Sequence, residues 1–143
     1  TVRAAQFGMG LDGQEFVKKA NETELVIPMC EDFEFGDQMD ELMAVEGIDA
    51  INFGPADYSM SVNTPTGYDM KNSNTDEVLE RIIKIAEPKG IGVMAPAVPP
   101  TLEHAERLIH KGVNMVIMGS DILNFQRAIT AIKEETLMKY QKD

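Results

Sequence analysis

One cysteine, no tryptophan and an aromatic share of 6% leave this 143-residue chain with few of the devices that staple a small fold. The lone Cys30 cannot close an internal disulfide, which excludes a disulfide scaffold and fits a reducing, cytoplasmic setting. Positive charge is also scarce. With 13 Lys and Arg against 24 Asp and Glu, the formal net charge is -11. That balance argues against nucleic acid or an anionic membrane as a partner. It leaves room for an anionic small substrate, because a bound cation reverses the local field. No apolar run approaches the roughly 18 residues of a membrane span, and no secretory signal opens the chain. The first residue is not Met, which reads as a processed or shortened product. What is present, 43% hydrophobic and 26% charged residues, places the chain among globular proteins with one compact core.

Four short apolar runs punctuate the sequence, at residues 25–30, 48–53, 91–95 and 113–118. Such runs suit strands buried on both faces of a parallel sheet, although Pro28 removes a ladder donor from the first. Each is followed by a helical pattern. The first spans Phe35 to Val45, carries Met39, Leu42 and Met43, and is stopped by Gly47. The second starts at Asn74 or Thr75 as N-cap and buries Val78, Leu79, Ile82, Ile83 and Ala86 before Pro88 and Gly90 end it. The third is capped by Thr101, runs to Lys111 and turns Leu102, Ala105, Leu108 and Ile109 inward. The last, from Ile122 to Tyr140, presents Ile122, Phe125, Ile129, Ile132 and Leu137 as its stripe. Residues 1–23 have no strong period beyond a short helix over Phe16–Asn21. The glycines at 8, 10 and 13 follow no strand and read as loop. Arg3 reads as a solvated surface residue, and Tyr58 to Lys71 as a long excursion of the functional kind. The methionines, Met39, Met43, Met60, Met70, Met115 and Met118 among them, read as core or gap filler. His104, His110, Glu134 and Glu135 read as solvent-facing, and Cys30 as a small buried apolar residue.

The order βα, repeated four times, predicts an α/β fold with parallel strands and right-handed crossovers. A full (β/α)8 barrel takes about 250 residues, so four units make either a small open sheet or part of a barrel that needs a partner. In either case functional side chains gather at the carboxyl ends of the strands. Glu31 follows the first strand there. Gly54-Pro55-Ala56-Asp57 follows the second, with Gly54 allowing a sharp turn and Asp57 left facing outward. From spacing alone two such carboxylates read first as ordinary polar residues starting two loops, with hard oxygen ligands for a divalent cation as the alternative.

The stretch from Met43 to Ser59, M-A-V-E-G-I-D-A-I-N-F-G-P-A-D-Y-S, resembles the L-A-V-E-G-V-D-G-V-F-I-G-P-A-D-L-S motif of the HpcH/HpaI aldolases. Ile27-Pro28-Met29-Cys30-Glu31 resembles the family's strand ending in its metal-binding Glu, and Val116-Ile117-Met118-Gly119-Ser120-Asp121 its V-A-V-G-S-D. The resemblance covers nearly all of the chain but the second half of the family's barrel. It implies a single incomplete domain over residues 1–143, the C-terminal part of a TIM (β/α)8 barrel. It further implies a metal-dependent pyruvate aldolase, in which Glu31 and Asp57 hold Mg²⁺, Mn²⁺ or Co²⁺. The Gly54, Pro55, Ala56 and Asp57 turn then holds the carboxylate of pyruvate, and Met94 faces the acceptor aldehyde. The implied reaction is reversible cleavage of a 4-hydroxy-2-oxo acid to pyruvate and an aldehyde. Two departures stand out. Many relatives carry Gln two positions before the Glu ligand, touching substrate, where this chain has Met29. The family's catalytic His and Arg lie in the half that residues 1–143 do not match, so no catalytic residue is assigned here. The expected partners are therefore the missing half-barrel or a second copy in a homo-oligomer. Two further readings are an acyl-CoA carbon–carbon lyase of the citrate-lyase β type and a non-catalytic half-barrel that binds metal or mediates assembly.

Overall fold

Ala50-Ile51-Asn52-Phe53 forms β2 of a four-stranded parallel sheet whose spatial order, β1-β2-β3-β4, follows the sequence. In this computed structural model, residue 10, residues 12–64, residues 73–137 and residue 140 are described. The other strands are β1 (Met29–Cys30), β3 (Gly92–Pro96) and β4 (Met115–Ile117). The helices are α1 (Gly13–Thr23), α2 (Phe33–Asp37), α3 (Met39–Leu42), α4 (Pro55–Ser61), α5 (Ser73–Ala86), α6 (Leu102–Lys111) and α7 (Asp121–Ile132). The fold class is α/β, as the alternating pattern predicts.

Alternation along the strands sorts the sheet into two unlike faces. Cys30, Ile51, Phe53, Val93 and Ala95 are all buried on one side. They meet Met39 and Met43, together with Leu79, Ile82 and Ala86 of α5 and Leu108 of α6. The other face carries Met29, Asn52, Met94 and Met115, which are register partners in turn across all four strands. Among the described residues that face carries no helix layer of its own. In a closed barrel it is the interior.

Several local expectations are corrected by the structure. The first strand shrinks to two residues because Pro28 donates nothing, and Leu25 and Val26 lie exposed at the edge. Val26 is still tied to β2, its N–H donating to Asp49 Oδ2 at 2.8 Å. The helix expected over 35–45 breaks at Gln38 into α2 and α3, with Asp32 capping α2 through the Phe35 N–H at 2.7 Å. The glycine at 13 opens α1, a longer helix than the one expected over 16–21. Tyr58 to Ser61, expected in the excursion, belong to α4, while residues 65–72, Met70 among them, lie outside the described residues, as does Arg3. Thr75 is buried inside α5 rather than capping it. Leu102 and Ile109 point outward, because only Ala105 and Leu108 of α6 meet the core. Met60 and Met118 are exposed rather than core. His104 is half-buried, its Nδ1 2.7 Å from Thr101 Oγ1 at the helix cap, whereas His110, Glu134 and Glu135 are exposed as expected.

α5 and α6 are tied together on the outer layer. Lys111 Nζ donates to Asp76 Oδ2 at 2.8 Å and to Glu80 Oε1 at 2.5 Å. Gly112 ends α6 at φ +113, and a Cβ there would stand 3.0 Å from Ile83 Cγ2. Both the left-handed backbone and the space require glycine.

The largest correction concerns α7. Its stripe is apolar as expected, yet no residue of the helix is buried, and Phe125 is 68% exposed. In a βα sheet a helix covers the groove between its own strand and the next. α5 does so over β2 and β3. Among the described residues β4 is an edge strand with no next neighbour, so α7 has no groove to cover there. α1, which precedes the other edge strand, likewise buries nothing.

Candidate metal and substrate site at the carboxyl ends of the strands

The site is built where β1 and β2 end side by side. Cys30 pairs with Phe53, and the Gly54 N–H donates to the Cys30 carbonyl at 2.9 Å, which carries the pairing one step past the strands. Glu31 and Gly54 are thereby neighbours. Gly54 has an ordinary φ of −102, so it is not needed for backbone freedom. It is needed for space. A Cβ at this position would lie 3.0 Å from Glu31 Cβ and 3.4 Å from Glu31 Oε2. The Glu31 carboxylate thus leans across the end of β2, over the hollow left by the missing side chain.

Pro55 then opens α4 at its first position, where its missing N–H costs nothing. Ala56 and Asp57 follow in the first turn, and the first backbone bond of the helix runs from the Tyr58 N–H to the Gly54 carbonyl at 2.9 Å. The amides of Ala56 and Asp57 therefore precede any intrahelical acceptor, and Gly54 offers no side-chain cap. Glu31 is half-buried and Asp57 exposed. The arrangement offers oxygen ligands from two adjacent loops, with helix-start amides beside them. Among the described residues no three His, Cys, Asp or Glu side chains come together. A cation held by two carboxylates keeps several open positions, as a substrate-binding ion needs and a structural one does not.

Cys30 lies directly beneath. Burial, then the negative charge of Asp32, push its thiol up to about 12. It packs in the core, as expected. Iodoacetamide at pH 8 is expected to leave Cys30 unmodified in the folded protein and to label it fully in denaturant. Intact mass checks this, and rapid stoichiometric labelling of the native chain would contradict the burial argument.

Met94 sits on the uncovered face of β3, one strand beyond the Gly54 turn, with Asn52 between it and Met29 in register. The Oδ1 of Asn52 is buried and has no hydrogen-bond partner among the described residues. The sequence marks it only as a polar residue at an inner position of an otherwise apolar strand. A separate cleft of about 730 Å³ lies at the opposite, amino end of the strands, lined by Asp49, Gly92, His110 and Asn114. It shares no residue with the Glu31 and Asp57 loops, and in parallel α/β sheets chemistry is placed at the carboxyl ends.

Comparison with known proteins decides the ancestry. The family model described as HpcH/HpaI aldolase/citrate lyase matches residues 9–128. The chain belongs to that family. A 2-keto-3-deoxy-L-rhamnonate aldolase of Klebsiella pneumoniae is 28% identical over 127 residues, covering 89% of this chain and 45% of its own length. A solved structure of the citrate synthase SbnG superposes with a TM-score of 0.75 at 27% identity, over 89% of this chain and 50% of that one. An HpcH/HpaI family protein from Burkholderia cenocepacia J2315 superposes with a TM-score of 0.76 at 24% identity, over 94% and 49% of the two chains. The chain thus spans about half the length of the HpcH/HpaI relatives it matches, and its four parallel units take the fold of part of their barrel. No helix among the described residues is long and apolar enough to cross a membrane.

Proposed function

We propose that residues 1–143 form the C-terminal part of a metal-dependent aldolase barrel that cleaves a 4-hydroxy-2-oxo acid to pyruvate and an aldehyde, reversibly. One observation carries the reading: the Glu31 carboxylate lies across Gly54, at the mouth of the Gly-Pro-Ala-Asp turn. The HpcH/HpaI ancestry and the aldolase relatives support it.

In this reading Glu31 and Asp57 hold the divalent cation, Mg²⁺, Mn²⁺ or Co²⁺. The bound cation supplies positive charge to the oxygens of the 2-oxo acid, which acidifies the adjacent carbon. The amides of Ala56 and Asp57 bind the substrate carboxylate, a role their unclaimed first-turn N–H groups suit. Pro55 fixes the start of that turn and Gly54 keeps it clear for Glu31. Met94 lines the side on which the aldehyde enters. The proton-transferring His and the Arg come from the other half of the barrel. The intact Gly-Pro-Ala-Asp turn favours a 2-oxo acid over an acyl-CoA thioester.

The uncovered inner face and the exposed stripes of α1 and α7 fit a unit completed by further barrel strands or by a second copy. The single incomplete domain and the homo-oligomer belong to this proposal, as does a cytoplasmic location.

Calorimetric titration of the full-length protein with oxalate, with and without Mn²⁺, tests the site. Oxalate mimics the planar, charged enolate of pyruvate. Binding that requires Mn²⁺ is expected. Absence of oxalate binding at any Mn²⁺ concentration would leave only the assembly reading.

A further inference from the structure

We propose that Tyr58, laid over Gly36, is a positioning residue that fixes the placement of Asp57 against Glu31 and so sets the affinity of the site for a divalent cation. The inference rests on the metal site proposed above and adds to it a contact that touches neither cation nor substrate.

Both carboxylates stand at the start of a helix. Glu31 directly precedes Asp32, the cap of α2, and Asp57 lies in the first turn of α4. How α2 meets α4 therefore sets how the two carboxylates face each other. Two contacts between these segments share one form, a side chain of one lying over a glycine of the other. At the strand ends Glu31 lies over Gly54. About one helical turn further on the direction reverses, and Tyr58 lies over Gly36. A Cβ at Gly36 would stand 2.9 Å from Tyr58 Cε2 and 3.1 Å from its hydroxyl oxygen, too close for the ring to stay where it is.

The end of a loose side chain would swing away from such a clash at little cost. Tyr58 is not loose. Its ring is half-buried, packs on the core and leans on Phe53 with centroids 6.1 Å apart. Gly36 is held too. It is buried, and its carbonyl accepts from Arg81 Nη1 at 2.9 Å, while Arg81 Nη2 donates to Asp40 Oδ2 at 2.9 Å. Arg81 of α5 thus anchors the end of α2. A ring forced off Gly36 must turn about its side-chain bonds or carry the first turn of α4 with it, and in either case the clasp opens. Glycine inside a helix is less favourable than alanine, and the backbone gives no reason for one here, since the φ of Gly36 is not positive. The space beneath Tyr58 is the reason.

The test measures Mn²⁺ affinity of the full-length protein by calorimetry, at a temperature where circular dichroism shows each variant folded. Gly36→Ala is expected to weaken Mn²⁺ binding about tenfold, the lower end of what disturbed supports of metal ligands cost. Tyr58→Leu opens the same contact without adding an atom, and a smaller loss is expected. Gly36→Ala combined with Tyr58→Leu restores the contact with the sizes exchanged. The double variant is expected to bind within about twofold of the unaltered protein, and so more tightly than Gly36→Ala alone, a coupling that independent positions do not show. A contact that served packing alone would move Tm in these variants and leave Mn²⁺ affinity of the folded protein where it was. Unchanged affinity in Gly36→Ala, or a double variant that binds no more tightly than Gly36→Ala, overturns this inference and leaves the metal site standing. If Gly36→Ala does not fold, Tyr58→Leu is read in its place, and unchanged affinity there overturns the inference equally. An unaltered protein that binds no Mn²⁺ overturns the metal site and this inference with it.

Discussion

Glu31→Gln combined with Asp57→Asn is expected to lower Mn²⁺ affinity of the full-length protein by about 100-fold or more. Changes to groups that merely orient metal ligands already cost about 10–100-fold, and this double change removes both of the proposed anionic ligands outright. The replacements are isosteric, and neither carboxylate takes part in the core, Glu31 being half-buried and Asp57 exposed. The urea midpoint should therefore stay close to that of the unaltered protein. Each single change should produce an intermediate loss, because the remaining carboxylate still attracts the ion. Mn²⁺ titration by calorimetry reads the affinity directly. Undiminished binding in the double variant would remove the site assignment, whatever happened to activity.

Phe53→Ala carries the largest expected effect on stability. Phe53 is fully buried, ends β2 at the centre of the sheet, and tilts its ring against Tyr58 with centroids 6.1 Å apart. Truncating a buried Phe costs about 3–5 kcal/mol in transfer and cavity terms. Domains hold only about 5–15 kcal/mol in all, so this one change consumes much of the margin. A fall in the urea midpoint at nearly constant slope is the expected signature. A shift below about 1 kcal/mol would mean that the core reorganises around the missing ring.

The sequence made the repeated βα order legible because hydrophobic runs and turn residues are local signals. Strand positions, the cap at Thr101, the stripe of α5 and the stop at Gly90 all follow from patterns a few residues long. The placement of Glu31 and of the Gly-Pro-Ala-Asp turn at strand ends is legible for the same reason. What failed to read was everything that depends on a neighbour. An apolar stripe states that a helix wants a partner and not whether one is present, so α7 reads as packed and is exposed. Leu102 and Ile109 failed in the same way on α6. The burial of Asn52 does not read either, because it depends on what stands across from it, two methionines on other strands. Gly54 reads as allowing a sharp turn, yet its φ is ordinary and the constraint is the Glu31 side chain lying over it.

The split between the two faces of the sheet bears on how such a chain can diverge. Ile51 and Phe53 are buried against the helices, and Asn52, the residue between them, points the other way. Heritable change can therefore accumulate at every second position of a strand without disturbing the positions on either side. Residues 29, 52, 94 and 115 form one row of positions open to trial, mounted on a framework whose tolerance for error is spent elsewhere. The inner surface of such a sheet can be rewritten one strand at a time, while the selection that keeps the chain folded acts on a different set of residues.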